Sequence, residues 1–199
     1  MICVRHPNIQ QARYAWEYGV LLATPGGTAF DRSAPAAEGG NVMAMPMTIR
    51  EYLRACDIDY EEVSHPRAVS TSRIAEVSHV GGDQLAKAIM LHGEAGYRVA
   101  VVPSTCDADL NVLSQMVHEE LELATEDEVR REFNDCDPGA AIPVGQAYGL
   151  QVYLDDQLRH QPDIYFEAGD HETLVHMSGT DFDRLMADSR HGLFSRPRY

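Results

Sequence analysis

Two apolar runs joined by a glycine-bracketed turn constrain this chain more than any other feature in it. Leu85-Ala86-Lys87-Ala88-Ile89-Met90-Leu91 is followed by Gly93-Glu94-Ala95-Gly96 and then by Tyr97 to Val102. A short apolar run that returns after a hairpin-length gap predicts two paired strands, the first of them, Lys87 to Leu91, buried. A chain built around such a pair needs a sheet, and the sheet needs something to cover it.

The flanking segments supply both. Ile49, Tyr52, Leu53 and Cys56 fall at helical spacing after a possible cap at Thr48, and Tyr60 to Val63 alternates like a short strand before Pro66. Ser70-Thr71-Ser72 offers caps for a helix through Ile74, Ala75, Val77 and His79, stopped by Gly81-Gly82. Leu110, Leu113, Met116 and Val117 mark a further helix, Leu121 to Ala124 a short strand, and Thr125 with Glu128 a capping box for a helix to Phe133. Leu150 to Leu154, Asp163 to Glu167 and Thr173 to Met177 read as strands, and Thr180 as the cap of a last helix through Phe182, Leu185 and Met186. Strands outnumber helices and hairpin-length gaps are frequent, so the expected fold is an α/β single domain on a mixed, mostly antiparallel sheet over residues 47–190. Residues 191–199 are expected to be a tail. Residues 1–46, with Gly26-Gly27, Gly39-Gly40 and balanced charge, are either a flexible extension or lie upstream of a true start at Met43, Met45 or Met47.

Composition excludes several classes of protein. No apolar run reaches the roughly 18–20 residues that span a bilayer. Tyr14 to Ala23 is short, carries Glu17 and lacks an adjacent basic flank, so it is not read as a signal peptide. A cytoplasmic protein with no membrane partner is expected. Cys3, Cys56, Cys106 and Cys136 form no CxxC pair, and the nine histidines show no HxH or HxxxH spacing, so neither a metal nor another cofactor is expected. The formal charge is −15, from 31 acidic against 16 basic residues. Such a surface does not attract DNA or any other phosphate backbone by itself.

Of the 16 basic residues, only Lys87 is a lysine. It stands inside an apolar run. A strand lysine can bury its stem and leave its head in water, but a chain that uses arginine everywhere else retains lysine where a compact ammonium, or one whose pKa can shift, is needed. Gly139-Ala140-Ala141-Ile142-Pro143 is a GxxxP loop. It reads either as a plain turn or as a rigid wall of backbone N–H groups facing a ligand. His171, in the turn Gly169-Asp170-His171-Glu172, is either an idle surface histidine or a group able to polarise a substrate.

Taken in order along the chain, these residues resemble the YbaK/EbsC family, the editing domains associated with bacterial prolyl-tRNA synthetase. The resemblance runs through Ser64-His65-Pro66 with Ser70-Thr71, Leu85 to Ile89, Tyr97 to Pro103, Leu123-Ala124-Thr125 with Glu128, the Gly139 to Pro143 loop, Val152 to Asp155 and Phe166 to Gly169. It implies hydrolysis of mischarged aminoacyl-tRNA in trans, on tRNA for proline, with aminoacyl-tRNA and prolyl-tRNA synthetase as partners. Lys87 and His171 would be the catalytic residues. Gly139, Ala140, Ala141 and Pro143 would hold the aminoacyl group, with Ser70 and Thr71 beside them. The alternatives are a non-catalytic binding module that keeps the pocket for a small ligand, and a hydrolase of another small ester. The acid excess also suits a high-salt cytoplasm, because screening lengths fall to about 3 Å near 1 M salt. Activity is therefore expected to rise with ionic strength; a salt titration with its optimum at low salt refutes this reading of the charge.

Overall fold

The computed structural model describes residues 45–159 and 161–198. The reading of residues 1–46 as an extension or a misassigned start falls, up to residue 44, outside the described residues, as does Cys3. The first helix, α1 (Met47–Ala55), puts Ile49 and Leu53 on one buried stripe. Thr48 does not cap it. Pro46 holds the cap position without a side-chain bond, and the Thr48 N–H donates instead to Asp135 Oδ2 at 3.2 Å. Strand β1 (Glu61–Ser64) follows, then α2 (Thr71–Ser78), capped by Ser70 as expected. The helix ends one residue before His79, which takes the left-handed conformation at φ 55° and stops it ahead of Gly81-Gly82.

The hairpin is present at greater length than expected, as β2 (Leu85–Gly93) and β3 (Gly96–Pro103) in antiparallel register from Ala86↔Pro103 to Gly93↔Gly96. After them come β4 (Cys106–Ala108), α3 (Leu110–Val117), the two-residue β5 (Glu122–Leu123) and α4 (Glu126–Glu132) with its Thr125–Glu128 capping box intact. Strands β6 (Gln151–Asp155), β7 (Asp163–Glu167) and β8 (Thr173–Ser178) lead into α5 (Gly179–Leu185). Ser178, rather than Thr180, caps α5, accepting from the Asp181 N–H at 3.1 Å. Two short strands close the chain, β9 (Arg190–Gly192) against β6 and β10 (Ser195–Pro197) against β4, so the expected tail includes paired residues.

The main sheet runs β1-β8-β7-β2-β3-β6-β9, with β5 also paired to β2. It is mixed and mainly antiparallel: β2–β7, β3–β6 and β6–β9 are the parallel pairs. Alternation along each strand sends side chains to two covered faces. On one face Val99, Val101, Val152, Leu154, Ile164, Phe166, Val175 and Met177 meet Ile49 and Leu53 of α1 and Phe182 and Leu185 of α5. On the other, Leu91, Ala100, Val102 and Tyr153 pack with Leu113 of α3, while Leu85 and Leu174 pack with Ile74 of α2. Each fully buried leucine or phenylalanine contributes about 1.5–3 kcal/mol of transfer free energy. Among the described residues no helix is long and apolar enough to cross a membrane.

Asp155 ties the last segment down. It is fully buried at the end of β6, and its carboxylate accepts from Gln157 N at 2.9 Å and from Phe194 N and Ser195 N, each at 2.8 Å. Asp155→Ala leaves three backbone donors unsatisfied and is expected to cost about 3–5 kcal/mol, read as a fall of roughly 10 °C in Tm; a shift under about 2 °C contradicts this role.

Candidate active site

The site lies where the sheet changes partners along one edge of β2. Strand β7 pairs with β2 at Leu85 and Ala86, and β5 pairs with it at Leu91 and His92. Between them Lys87, Ala88 and Ile89 have no strand partner on that side among the described residues. A cavity of about 80 Å³ occupies the gap. Its wall is Leu85, Ala86, Lys87 and Ala88 of β2, Glu167 at the end of β7, Val69, Thr71 and Ile74 at the start of α2, and Gly139, Ala141 and Pro143.

The GxxxP loop builds its part of the wall by alternation. Ala140, Ile142 and Val144 are buried in the protein, and Gly139, Ala141 and Pro143 face the cavity. The Ala140 N–H closes a tight turn onto Asp137 O at 3.0 Å, and Asp137 N is held by Gly169 O at 2.7 Å. Gly139 takes φ +86°, a left-handed conformation that glycine adopts without strain. The N–H groups of Gly139 and Ala141 have no partner among the described residues, which leaves both available to a ligand oxygen. Ala140, expected among the substrate-holding residues, instead points into the core with its N–H already engaged. Of Ser70 and Thr71, Thr71 lines the cavity, and Ser70 spends its hydroxyl on the helix cap.

Lys87 follows Ala86 on the face that Leu85 shares with α2. Its side chain is 12% exposed, and Nζ donates to Cys106 O at 2.5 Å and Asp107 Oδ1 at 3.2 Å. Burial pulls its pKa below the ordinary lysine value, opposed by the hydrogen bond to Asp107. Asp107 in turn is held at about 2, first by Arg198 and then by Lys87, with Arg198 Nη2 at 2.7 Å. An ammonium carries three donors, so one of Lys87's remains for a ligand.

His171 does not reach the cavity. Its ring is 2% exposed, with Nε2 3.1 Å from Pro138 O and Nδ1 2.7 Å from Glu167 Oε1. The second contact is close but lies off the direction of a well-aligned hydrogen bond. Glu167 Oε1 also accepts the His171 backbone N–H at 3.1 Å. A carbonyl can only accept, so Nε2 donates, and the Glu167 carboxylate, against the opposing effect of burial, raises the imidazole's pKa. His171 therefore links Glu167 to Pro138, the residue that precedes the GxxxP loop.

The frame around it contains residues that sequence reasoning passed over. Asp170 Oδ1 accepts from Glu172 N at 3.0 Å and Thr173 N at 2.7 Å, fixing the turn that carries His171 at φ 61°. Arg67 bridges Asp137 Oδ2 at 2.9 Å and Asp170 O at 3.3 Å. The Ala68 N–H donates to His171 O at 3.0 Å. Glu167 was legible only as an acid two residues before Gly169; nothing in one sequence points it into a cavity. Among the described residues no cysteine lines the cavity. Burial pushes the Cys136 thiol up to about 12, and Cys56 is also raised.

A mixed sheet covered on both faces thus carries a lysine and a backbone-lined loop on the wall of one cavity. The chain belongs to the aminoacyl-tRNA editing domain family, whose sequence profile matches residues 65–185. Solved structures share the fold. One described as "a putative trans-editing enzyme for prolyl tRNA synthetase" is 22% identical with a TM-score of 0.65, the match covering 75% of this chain and 95% of that one. A hypothetical protein is 16% identical with a TM-score of 0.67, covering 75% and 99%. A scaffold from epitope backbone grafting is 20% identical with a TM-score of 0.67, covering 76% and 97%. No curated protein sequence matches this chain.

The His171 linkage has a defined sign. Its folded pKa lies above the ordinary 6.5, so its contribution to stability is complete below pH 6.5 and is lost as pH rises through the folded value. His171→Gln is expected to destabilise by about 1–3 kcal/mol near pH 6, with the deficit shrinking as pH is raised. Urea denaturation at pH 6 and pH 9 measures it, and a deficit that grows with pH contradicts the assignment.

Proposed function

We propose that this chain is a deacylase that hydrolyses the ester of mischarged aminoacyl-tRNA in trans, acting on tRNA for proline. The observation that supports this most is that Lys87 and the alternate residues Gly139, Ala141 and Pro143, about fifty positions apart in sequence, line one cavity. The chain's place in the aminoacyl-tRNA editing domain family supplies the substrate class.

In this reading the free donor of Lys87 meets the terminal adenosine or its phosphate and orients the ester. The N–H groups of Gly139 and Ala141 receive the ester carbonyl and the negative charge that develops on it. A positioned water attacks, with the substrate's own ribose hydroxyl assisting, and the protein contributes orientation in a site held rigid by the His171 and Arg67 contacts. A cavity of about 80 Å³ suits a small aminoacyl side chain such as that of alanine, serine or cysteine. The charge of −15 gives little attraction along a tRNA backbone, so recognition concentrates on the acceptor end or is shared with prolyl-tRNA synthetase in the cytoplasm.

Purified protein is to be assayed against Ala-, Cys- and Ser-charged tRNA for proline at low and high salt. Lys87→Ala is expected to lower kcat/KM for deacylation by about 100-fold, roughly 2.7 kcal/mol, with Tm retained within a few degrees. An alanine variant as fast as wild type refutes the mechanism. Ligand-dependent stabilisation by an aminoacyl-adenosine with no turnover by wild type on any of the three tRNAs points to a binding module instead.

A further inference from the structure

Among the described residues Glu167 is the one acid in the cavity wall, and the proposed mechanism does not use it. It follows Phe166 on β7 as Lys87 follows Ala86 on β2, and Ala86 and Phe166 are register partners in the parallel pair. The two opposite charges therefore leave the same end of the same pair, yet they are not paired with each other. Two of the three donors of Lys87 go to Cys106 O and Asp107. Glu167 is only 15% exposed, and its Oε1 is taken by the His171 N–H and imidazole. Its Oε2 has no partner among the described residues, and it shares the wall with Val69, Thr71, Ile74 and Leu85. A locked, largely buried carboxylate with one open oxygen is a receptor for a cation that also donates hydrogen bonds.

We propose that Glu167 receives the α-ammonium of the aminoacyl group through Oε2, so that the pocket requires a free amine on its ligand. The idea takes its ligand from the editing function proposed above. The division of labour is by charge: Lys87 faces the oxygen-rich nucleotide end, Glu167 faces the amine, and the neutral N–H groups of Gly139 and Ala141 lie available for the carbonyl between them. His171 keeps Oε1 occupied and thereby turns Oε2 outward.

A binding experiment separates this from catalysis. Wild type and Glu167→Gln are titrated calorimetrically with 3′-(L-alanylamino)-3′-deoxyadenosine, whose amide is not hydrolysed, and with its lactyl counterpart, in which a hydroxyl of nearly equal size replaces the ammonium. Wild type is expected to bind the alanyl compound at least 10-fold more tightly than the lactyl one. Glu167→Gln, which keeps the shape and an oxygen for the His171 N–H, is expected to lose most of that preference by weakening the alanyl compound alone. The inference is overturned if wild type binds the two compounds equally, if it binds neither, or if Glu167→Gln weakens both to the same extent, as a general positioning role would require. An ammonium preference that depends on Glu167 in a protein that hydrolyses no charged tRNA upholds this inference and removes the proposed deacylase function, so the two fail separately.

Discussion

The gap along the edge of β2 is the constraint from which the site follows. A strand in a sheet satisfies its backbone on both sides, and β2 does so at its two ends, with β7 at Leu85 and Ala86 and with β5 at Leu91 and His92. Because β7 and β5 approach the same edge from opposite ends, neither can continue, and the residues between them are left open in the middle of a domain. Buried backbone cannot stay unsatisfied without cost, so the opening has to be a place that admits water or ligand. Lys87 stands at it because its register position is the first beyond the last β7 pair.

Keeping such an opening from collapsing requires bracing, and the bracing comes from three loops that would otherwise be independent. Arg67, Asp137, Asp170 and His171 link the loop before α2, the GxxxP loop and the β7–β8 turn through side-chain and backbone bonds. The exposed ion pairs among them, such as Arg67 with Asp137, contribute little individually. The buried contacts of His171 and Asp170 contribute more, since their partners would be left without a bond inside the protein. Behind the lysine a second brace runs through Asp107 to Arg198, and Asp155 holds the backbone that carries Arg198 into place.

The sequence carried the hairpin, the helix stripes and the capping box of α4 plainly, because apolar spacing and turn chemistry are local. It misplaced the caps of α1 and α5, where a neighbouring residue competes for the same role: Ser178 stands two positions ahead of Thr180, and the Thr48 N–H is claimed by Asp135 across the fold. Lys87 and the GxxxP loop could be singled out from composition and glycine–proline spacing. That alternate residues of the loop face inward while Ala140 turns away depends on a turn closed by Asp137 O, which spacing does not encode. Glu167 and the true place of His171 were out of reach for the same reason. Their roles are set by a contact between a turn and a loop more than thirty positions apart, at 3.1 Å from His171 to Pro138 O.

The Arg198–Asp107–Lys87 chain makes the setting of the ammonium a long-range property. The carboxylate that steadies the lysine is itself steadied by a residue more than ninety positions further along the chain. A substitution at Arg198, at the surface and outside the cavity wall, therefore reaches Nζ through a single shared carboxylate.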